Sequence, residues 1–362
     1  MRFAYFTHSL ASCWNHGNAH FLRGVLRELI ALGHEVAALE PQGAWSRENL
    51  VRDAGPDAAE SWRQAYPELA STVYPPKADL AALVESADVV IVHEWNEKPV
   101  VARLGALRRA GMGFKLLFHD THHRAVSEPQ SMQGYDLGGY DGVLAFGQAL
   151  AEVYRGWGWG ERVFVWHEAA DTRLFRPPPI ETDRQGGVWI GNWGDGERTA
   201  ELEQFLFAPC AALKLPLDVF GVRYPPEAQA MLARHGAHYR GWLPNHRAPE
   251  IFAQHRLTVH VPRRFYAQQL PGIPTIRVFE ALACGIPLVC APWQDTEGLF
   301  TPGRDFLLAP DGDAMTRQLR ALVADPGLCA SLAEHGLATI RARHTCAHRA
   351  QELLGILEHM DG

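Results

Sequence analysis

Short apolar runs recur along the chain, separated by stretches whose apolar residues return every three or four positions, the alternation expected of β-strands joined by helices. Residues 2–7 make the first run, and a loop follows, Ser12-Cys-Trp-Asn-His16-Gly17-Asn18. The spacing then predicts a helix over 19–32 with Phe21, Leu22, Val25, Leu26, Leu29 and Ile30 on its buried face. Gly33 closes that helix and 34–40 is the next strand. Strand, glycine loop, helix, strand is a βαβ unit, and its right-handed crossover makes the sheet parallel. Runs at 87–93, 114–119, 141–147 and 162–166 predict further strands, with a helix over 98–110. Residues 44–80, rich in Trp, Pro and charge, predict helices and loops.

The pattern shifts at Asp171-Thr-Arg-Leu-Phe-Arg-Pro-Pro-Pro179, which reads as a linker. Beyond it strands are expected at 187–192, 217–221, 239–243, 257–261 and 288–291, and helices near 198–213, 247–254, 313–324, 327–343 and 346–360. The stretch from Pro274 to Pro292 is the most informative. Ile276, Phe279 and Ala283, with Val278 and Leu282, give one helical face; Gly285 sits at the C-cap, Pro287 forbids continuation, and Leu288-Val-Cys-Ala is a buried strand. Two α/β domains follow, 1–172 and 173–344, with 345–362 a helix able to pack back on the first. A length of 362 residues also favours two cores over one.

Polar residues collect directly after the strands, where an open α/β sheet puts its site: His93-Glu94, His119-Asp120-Thr-His122-His123-Arg124, and Asn192. A net charge of -7 argues against a general nucleic-acid binder. The six cysteines show no CxxC spacing, and Cys210, Cys284, Cys290 and Cys329 lie in apolar surroundings, the pattern of free thiols in a reducing compartment. The start reaches His8 too soon for a signal-peptide core, and no apolar run is long enough to span a membrane. A cytoplasmic protein is expected.

The order Asp171-x3-Phe175-x-Pro177, Ile190-Gly-Asn, Arg240-Gly and Phe279-Glu280-Ala-Leu-Ala-Cys-Gly285-Ile-Pro resembles the GT-B glycosyltransferases of group 1, or family 4. Ile276-Arg-Val-Phe-Glu-Ala-Leu-Ala-Cys-Gly is most similar to their CgeB-like branch, and Leu32-Gly-His34-Glu-Val matches their N-terminal signature. The resemblance implies two Rossmann-like domains facing each other across a cleft, no cofactor and no protein-bound metal. It implies transfer of a sugar from a nucleotide diphosphate-sugar to an acceptor, with retention. On that basis Glu280 holds the ribose, and Thr275, Ile276, Gly272, Gly17, Asn192 and Arg264 join it in donor binding. Arg198 and Arg263 balance the leaving diphosphate, and His119 orders the sugar. The acceptor side falls on His16, His93, Glu94 and Asp120. The family's second glutamate is missing, because the eighth position before Glu280 is Gly272; amides of the 270–275 loop stand in its place.

Each assignment has a plainer rival. Glu280 on a helix is often a solvated residue, and a strand-end His119 a hydrogen-bonded loop histidine. His93 and Glu94 divide evenly between acceptor contact and solvation, and Glu168 reads first as a hinge residue. His119, Asp120, His122 and His123 invite a metal, but no downstream ligand pattern supports one. Trp14, Trp95, Trp193, Trp242 and Trp293 are each more often core than stacking platforms. Arg103, Arg108, Arg109 and Lys115 offer at most a peripheral contact with an anionic membrane, and a charged helix face is more often simply solvated. Two other functions fit the same shape: a UDP-sugar epimerase, or a sugar-nucleotide binder without transfer.

Overall fold

The described residues of the computed structural model, 1–15, 17–179 and 183–360, form two parallel sheets, each in its own unit. The first unit takes Met1–Glu168 and the segment from Cys346 on; the second takes Ala169–Thr345.

In the first unit the strands are β1 (Arg2–Phe6), β2 (Glu35–Pro41), β3 (Ser71–Tyr74), β4 (Val89–His93), β5 (Lys115–Asp120), β6 (Gly142–Ala145) and β7 (Val163–Val165), in the order β3-β2-β1-β4-β5-β6-β7. Every residue of β4 is buried, as a parallel strand covered on both faces requires. The order reverses between β1 and β4, which places the ligand crevice of such a sheet at their carboxyl ends. The helix Ala19–Ala31 buries Phe21, Leu22, Val25, Leu26 and Leu29 as the spacing predicts, with Ile30 only half-buried. The last helix, Cys346–His359, packs on it. Trp166 Nε1 donates to the carbonyl of Arg349 at 2.8 Å, Arg349 Nε donates to that of His167 at 3.0 Å, and Lys115 Nζ caps Leu357 O at 2.7 Å.

The second unit contains β8 (Gly187–Ile190), β9 (Leu217–Phe220), β10 (Ala237–Gly241), β11 (Leu257–His260), β12 (Leu288–Cys290) and β13 (Leu307–Leu308), ordered β10-β9-β8-β11-β12-β13. Its switch point lies between β8 and β11. Ala170 and Thr345 form a bridge, so the chain enters and leaves this unit side by side. Gly285 adopts φ +61°, the left-handed turn that ends the helix Ile276–Ala283 before β12.

Several elements depart from the sequence reading, among them strand β13 and the helices Gln148–Tyr154 and Arg264–Gln268, which were not expected. Residues 71–74 form edge strand β3, too short and too exposed to carry an apolar alternation. The helix Pro226–Arg234 follows β9 where none was expected. The single helix expected over 198–213 contains a π-turn at Glu203–Phe207, followed by Pro209, which has no N–H to continue the ladder.

Candidate functional site

In the second unit the polar residues converge at the carboxyl ends of β8 and β11 and the start of the helix Ile276–Ala283. That helix buries Ile276, Val278, Phe279, Ala281, Leu282 and Ala283, and among them Glu280, which has no exposed surface. A carboxylate there requires partners. Its Oε1 accepts from Asn245 Nδ2 at 2.6 Å, and its Oε2 pairs with Arg277 Nη1. The solvated reading of Glu280 therefore fails, and the residue acts as the clamp that orients Arg277. Thr275, at the N-cap, makes no capping bond; its hydroxyl lies 3.1 Å from His260 Nε2. The first amides of the helix, Ile276 among them, receive no capping bond from the N-cap side chain among the described residues. Burial first, then the charges of Arg198 and Arg277, push His260 down to about 3, so it is neutral.

Arg198 begins the helix Thr199–Leu202. Its guanidinium donates to Asn192 O at 2.7 Å and Val261 O at 3.1 Å, and it lies 5.1 Å from the Trp189 ring. Its Nε is buried with no hydrogen-bond partner among the described residues. Burial, and Arg263 nearby, push it down to about 9, the mark of a cation whose charge is poorly compensated. The other arginines here differ. Arg263 pairs with Glu197 at 2.6 Å, Arg264 with Glu201 at 2.6 Å, and Arg277 with Glu280. Asn192 turns its Oδ1 to the amide of Val222 at 3.1 Å, so it shapes the loop beside Arg198.

Gly272 has a physical reason to lack a side chain. Its φ is +92°, and a Cβ there would run into Thr296 Oγ1 and stand 3.2 Å from Glu297 Oε1. Its amide is already donated to Gln294 O at 2.6 Å. The half-buried Glu297 thus brings a carboxylate to within one side-chain contact of the vacant position. Sequence reasoning missed it; its only signal was a polar loop, Gln294-Asp-Thr-Glu297, following a buried strand.

In the first unit, loop 8–14 is fixed from below. Glu40 accepts from Ser9 Oγ at 2.8 Å and the Ala11 amide at 3.1 Å, while Arg23 donates to Leu10 O at 2.8 Å and Ala11 O at 3.0 Å. Both are fully buried, and neither was singled out from the sequence. Gly17 is exposed at the turn into the first helix, and His16 lies outside the described residues.

Register sets His93 beside His119 on neighbouring strands. His119 Nδ1 bonds Tyr5 OH, its ring packs on Trp166 at 4.8 Å, and its buried Nε2 has no partner among the described residues. Burial, with His93 nearby, holds it well below the usual histidine range. His93 Nε2 lies 2.8 Å from Asn18 Nδ2, 3.0 Å from Thr121 Oγ1 and 2.9 Å from Glu94 Oε2. The last approach lacks hydrogen-bond geometry, so both oxygens of the wholly buried Glu94 have no hydrogen bond among the described residues. Asp120 accepts from Tyr154 OH at 2.7 Å and from the His122 amide at 3.0 Å. Burial and the neighbouring Glu94 nevertheless push it up to about 8, so at neutral pH it is mostly a neutral acid. Arg124 faces both carboxyls and lies 4.5 Å from the Trp95 ring. Among the described residues no group of three or more His, Cys, Asp or Glu is arranged to hold a metal ion.

Residues 198–355 match the family of glycosyl transferase-like proteins, a span that begins at Arg198 and includes Arg263, Arg264, Arg277 and Glu280. Among curated proteins none matches the chain in sequence. Among solved structures, sucrose-phosphate synthase from Thermosynechococcus elongatus superposes with a TM-score of 0.70 at 13% identity, covering 99% of each chain. HepE from Anabaena in complex with UDP-glucose gives 0.70 at 14%, covering 99% of this chain and 100% of its own. An α-glucosyltransferase solved with UDP and a 13-mer DNA gives 0.69 at 12%, covering 99% of each. These neighbours are GT-B glycosyltransferases, and likeness at such low identity speaks for fold. The chain has the GT-B fold, built from two parallel-sheet α/β domains of seven and six strands.

Proposed function

We propose that the protein is a glycosyltransferase of the CgeB-like kind that moves a sugar from a nucleotide diphosphate-sugar to an acceptor hydroxyl, with retention and without a bound metal or cofactor. The observation that carries this reading is Arg198, a poorly compensated cation at the carboxyl edge of the second sheet, beside the first amides of the helix Ile276–Ala283. Such a pole suits a diphosphate. The match of this segment to glycosyl transferase-like proteins supports the reading. So do neighbours solved with UDP or UDP-glucose, which make UDP the first nucleotide to try.

In this reaction the acceptor oxygen bonds the anomeric carbon while the bond from that carbon to the β-phosphate oxygen breaks. The electron pair goes to the diphosphate, and the acceptor proton passes to a leaving phosphate oxygen. Arg198, with Arg277 behind it and Arg263 at its side, meets the charge that develops. Glu280 takes the ribose contact while orienting Arg277. Glu297 supplies a carboxylate toward the donor sugar. His119, wholly buried, positions His93, and His93, Glu94 and Asp120 form the acceptor side. Retention and the CgeB-like assignment rest on the resemblance of 276–285. A cytoplasmic setting rests on the lack of CxxC spacing and on the apolar surroundings of Cys210, Cys284, Cys290 and Cys329, of which the first three are buried. Among the described residues no helix is long and apolar enough to cross a membrane, and membrane contact, if made, is peripheral.

The test is turnover. The chain is incubated with UDP-, GDP-, ADP- and dTDP-sugars and a panel of acceptors, and nucleoside diphosphate and new glycoside are quantified together, with NMR of the anomeric proton. Transfer predicts the two products in equal amounts. Interconversion of the sugar nucleotide without diphosphate release means an epimerase, and binding without any conversion means a non-catalytic binder; either overturns the proposal.

A further inference from the structure

The sequence offered scattered tryptophans, each more easily explained as core. The structure brings two of them, Trp14 and Trp95, into one row with Trp45, which the sequence did not single out. Trp45 opens the helix that follows β2, Trp14 sits in the loop after β1, Trp95 directly follows β4, and His122 follows β5. Those four strands are neighbours in the order β2-β1-β4-β5, so the rings gather at the carboxyl edge of the sheet, in the contact order Trp14, Trp45, Trp95, His122. Ring centroids stand 6.0 Å apart for Trp14 and Trp45, 6.2 Å for Trp45 and Trp95, and 5.3 Å for Trp95 and His122. Trp45, Trp95 and His122 are only half-buried. Aromatic rings left partly open at a ligand edge are a cost that a core would not carry.

A second observation says what the row holds. Next to Trp95, the wholly buried Glu94 carboxylate makes no hydrogen bond, its Oε2 meeting only the His93 ring at 2.9 Å, and Arg124, buried with its guanidinium over Trp95, has an Nε without a hydrogen bond, among the described residues. Acceptors and a donor therefore stand ready beside the rings. Arg124 is faced by Glu94 and Asp120, so this edge carries no surplus of positive charge, unlike the pole around Arg198. An anion has no cation to itself here, and an aliphatic chain would leave Glu94 unmet. A pyranose ring fits both features, with an apolar C–H face for an indole and a rim of hydroxyls for the carboxylate and guanidinium.

We infer that the Trp45–Trp95 row, with Glu94 and Arg124 at its side, is a binding site for a neutral saccharide, and that the acceptor substrate is a glycan or glycoside. Only the word acceptor rests on the transfer reading; the site itself is tested without any donor.

The experiment is saturation-transfer NMR and calorimetry of the full chain with neutral disaccharides of glucose, galactose and mannose. Glucose 6-phosphate, octanol and 4-nitrophenol serve as contrasting probes. A neutral disaccharide should bind, with Trp95→Ala weakening it by about tenfold and Trp95→Phe restoring most of it. Glu94→Gln should weaken the saccharide without gaining affinity for octanol. UDP binding is measured on every variant and should be unchanged, which separates loss of this site from loss of the donor pole or of the fold. Preference for octanol, nitrophenol or the phosphorylated sugar overturns the inference. So does the absence of saccharide binding, or binding that survives in Trp45→Ala/Trp95→Ala.

Discussion

At position 280 a ribose contact and a clamp on Arg277 call for the same side chain, and two ligands tell them apart. Glu280→Ala leaves Arg277 and Asn245 without their buried partner, and breaking such a pair costs about 3–5 kcal/mol of stability. Glu280→Gln keeps an acceptor for Asn245 and should cost less. Titration with a nucleoside and with its diphosphate then divides the roles. If the carboxylate touches the ribose, Glu280→Gln weakens both ligands equally. If it acts only through Arg277, the nucleoside is unaffected and the diphosphate weakens.

Asp120 gives the second prediction at this scale. Its acid form is favoured in the folded state up to about pH 8, well above the unfolded value near 4. The unfolded chain therefore releases this proton first as pH rises. The stability Asp120 contributes is complete below about pH 4 and is lost as pH climbs through about 8. Urea midpoints measured from pH 5 to 8 should fall in wild type and be flatter in Asp120→Asn, whose amide still meets Tyr154 and the His122 amide. Parallel profiles would mean that Asp120 is ionised in the folded protein throughout.

Among elements, the loops after the strands decide the chemistry, and they were the least legible part of the sequence. The helices 19–31 and 276–283 announced themselves through period and through Gly33 and Gly285, because burial of one face leaves a repeating mark. Edge strand β3 left none, since three of its four residues escape full burial. Glu280 and Arg198 were picked out through the family resemblance, but their partners were not. Asn245 lies 35 residues from Glu280, and Glu40 and Arg23 reach the 8–14 loop from different elements, a kind of pairing that no local spacing encodes. Gly272 appeared as a missing carboxylate, whereas its φ of +92° and the packing of Thr296 against it make glycine the residue that fits. Gly272→Glu should therefore fail to improve donor binding and should lower Tm, while Glu297→Gln should slow turnover with little change in Tm. Recovery of activity in Gly272→Glu/Glu297→Gln would show instead that the 270–273 loop readily accepts the side chain.

For the whole molecule, the two units present different electrostatic characters at their sheet edges, one balanced and one cationic. The first holds two carboxyls against one buried arginine; the second holds Arg198 and the clamped Arg277 around a neutral His260. The overall charge of -7 conceals that local surplus. Calorimetric titration of the full chain with UDP, GDP, ADP and dTDP, repeated on Arg198→Met, tests the central claim most directly. One diphosphate should bind wild type, and Arg198→Met should weaken it by roughly ten- to a hundredfold, the loss expected for a charged hydrogen-bond donor. The variant's Tm should stay level or rise, since a cation that burial disfavours is gone. Equal affinity in wild type and variant, or no binding of any nucleotide, would contradict the account.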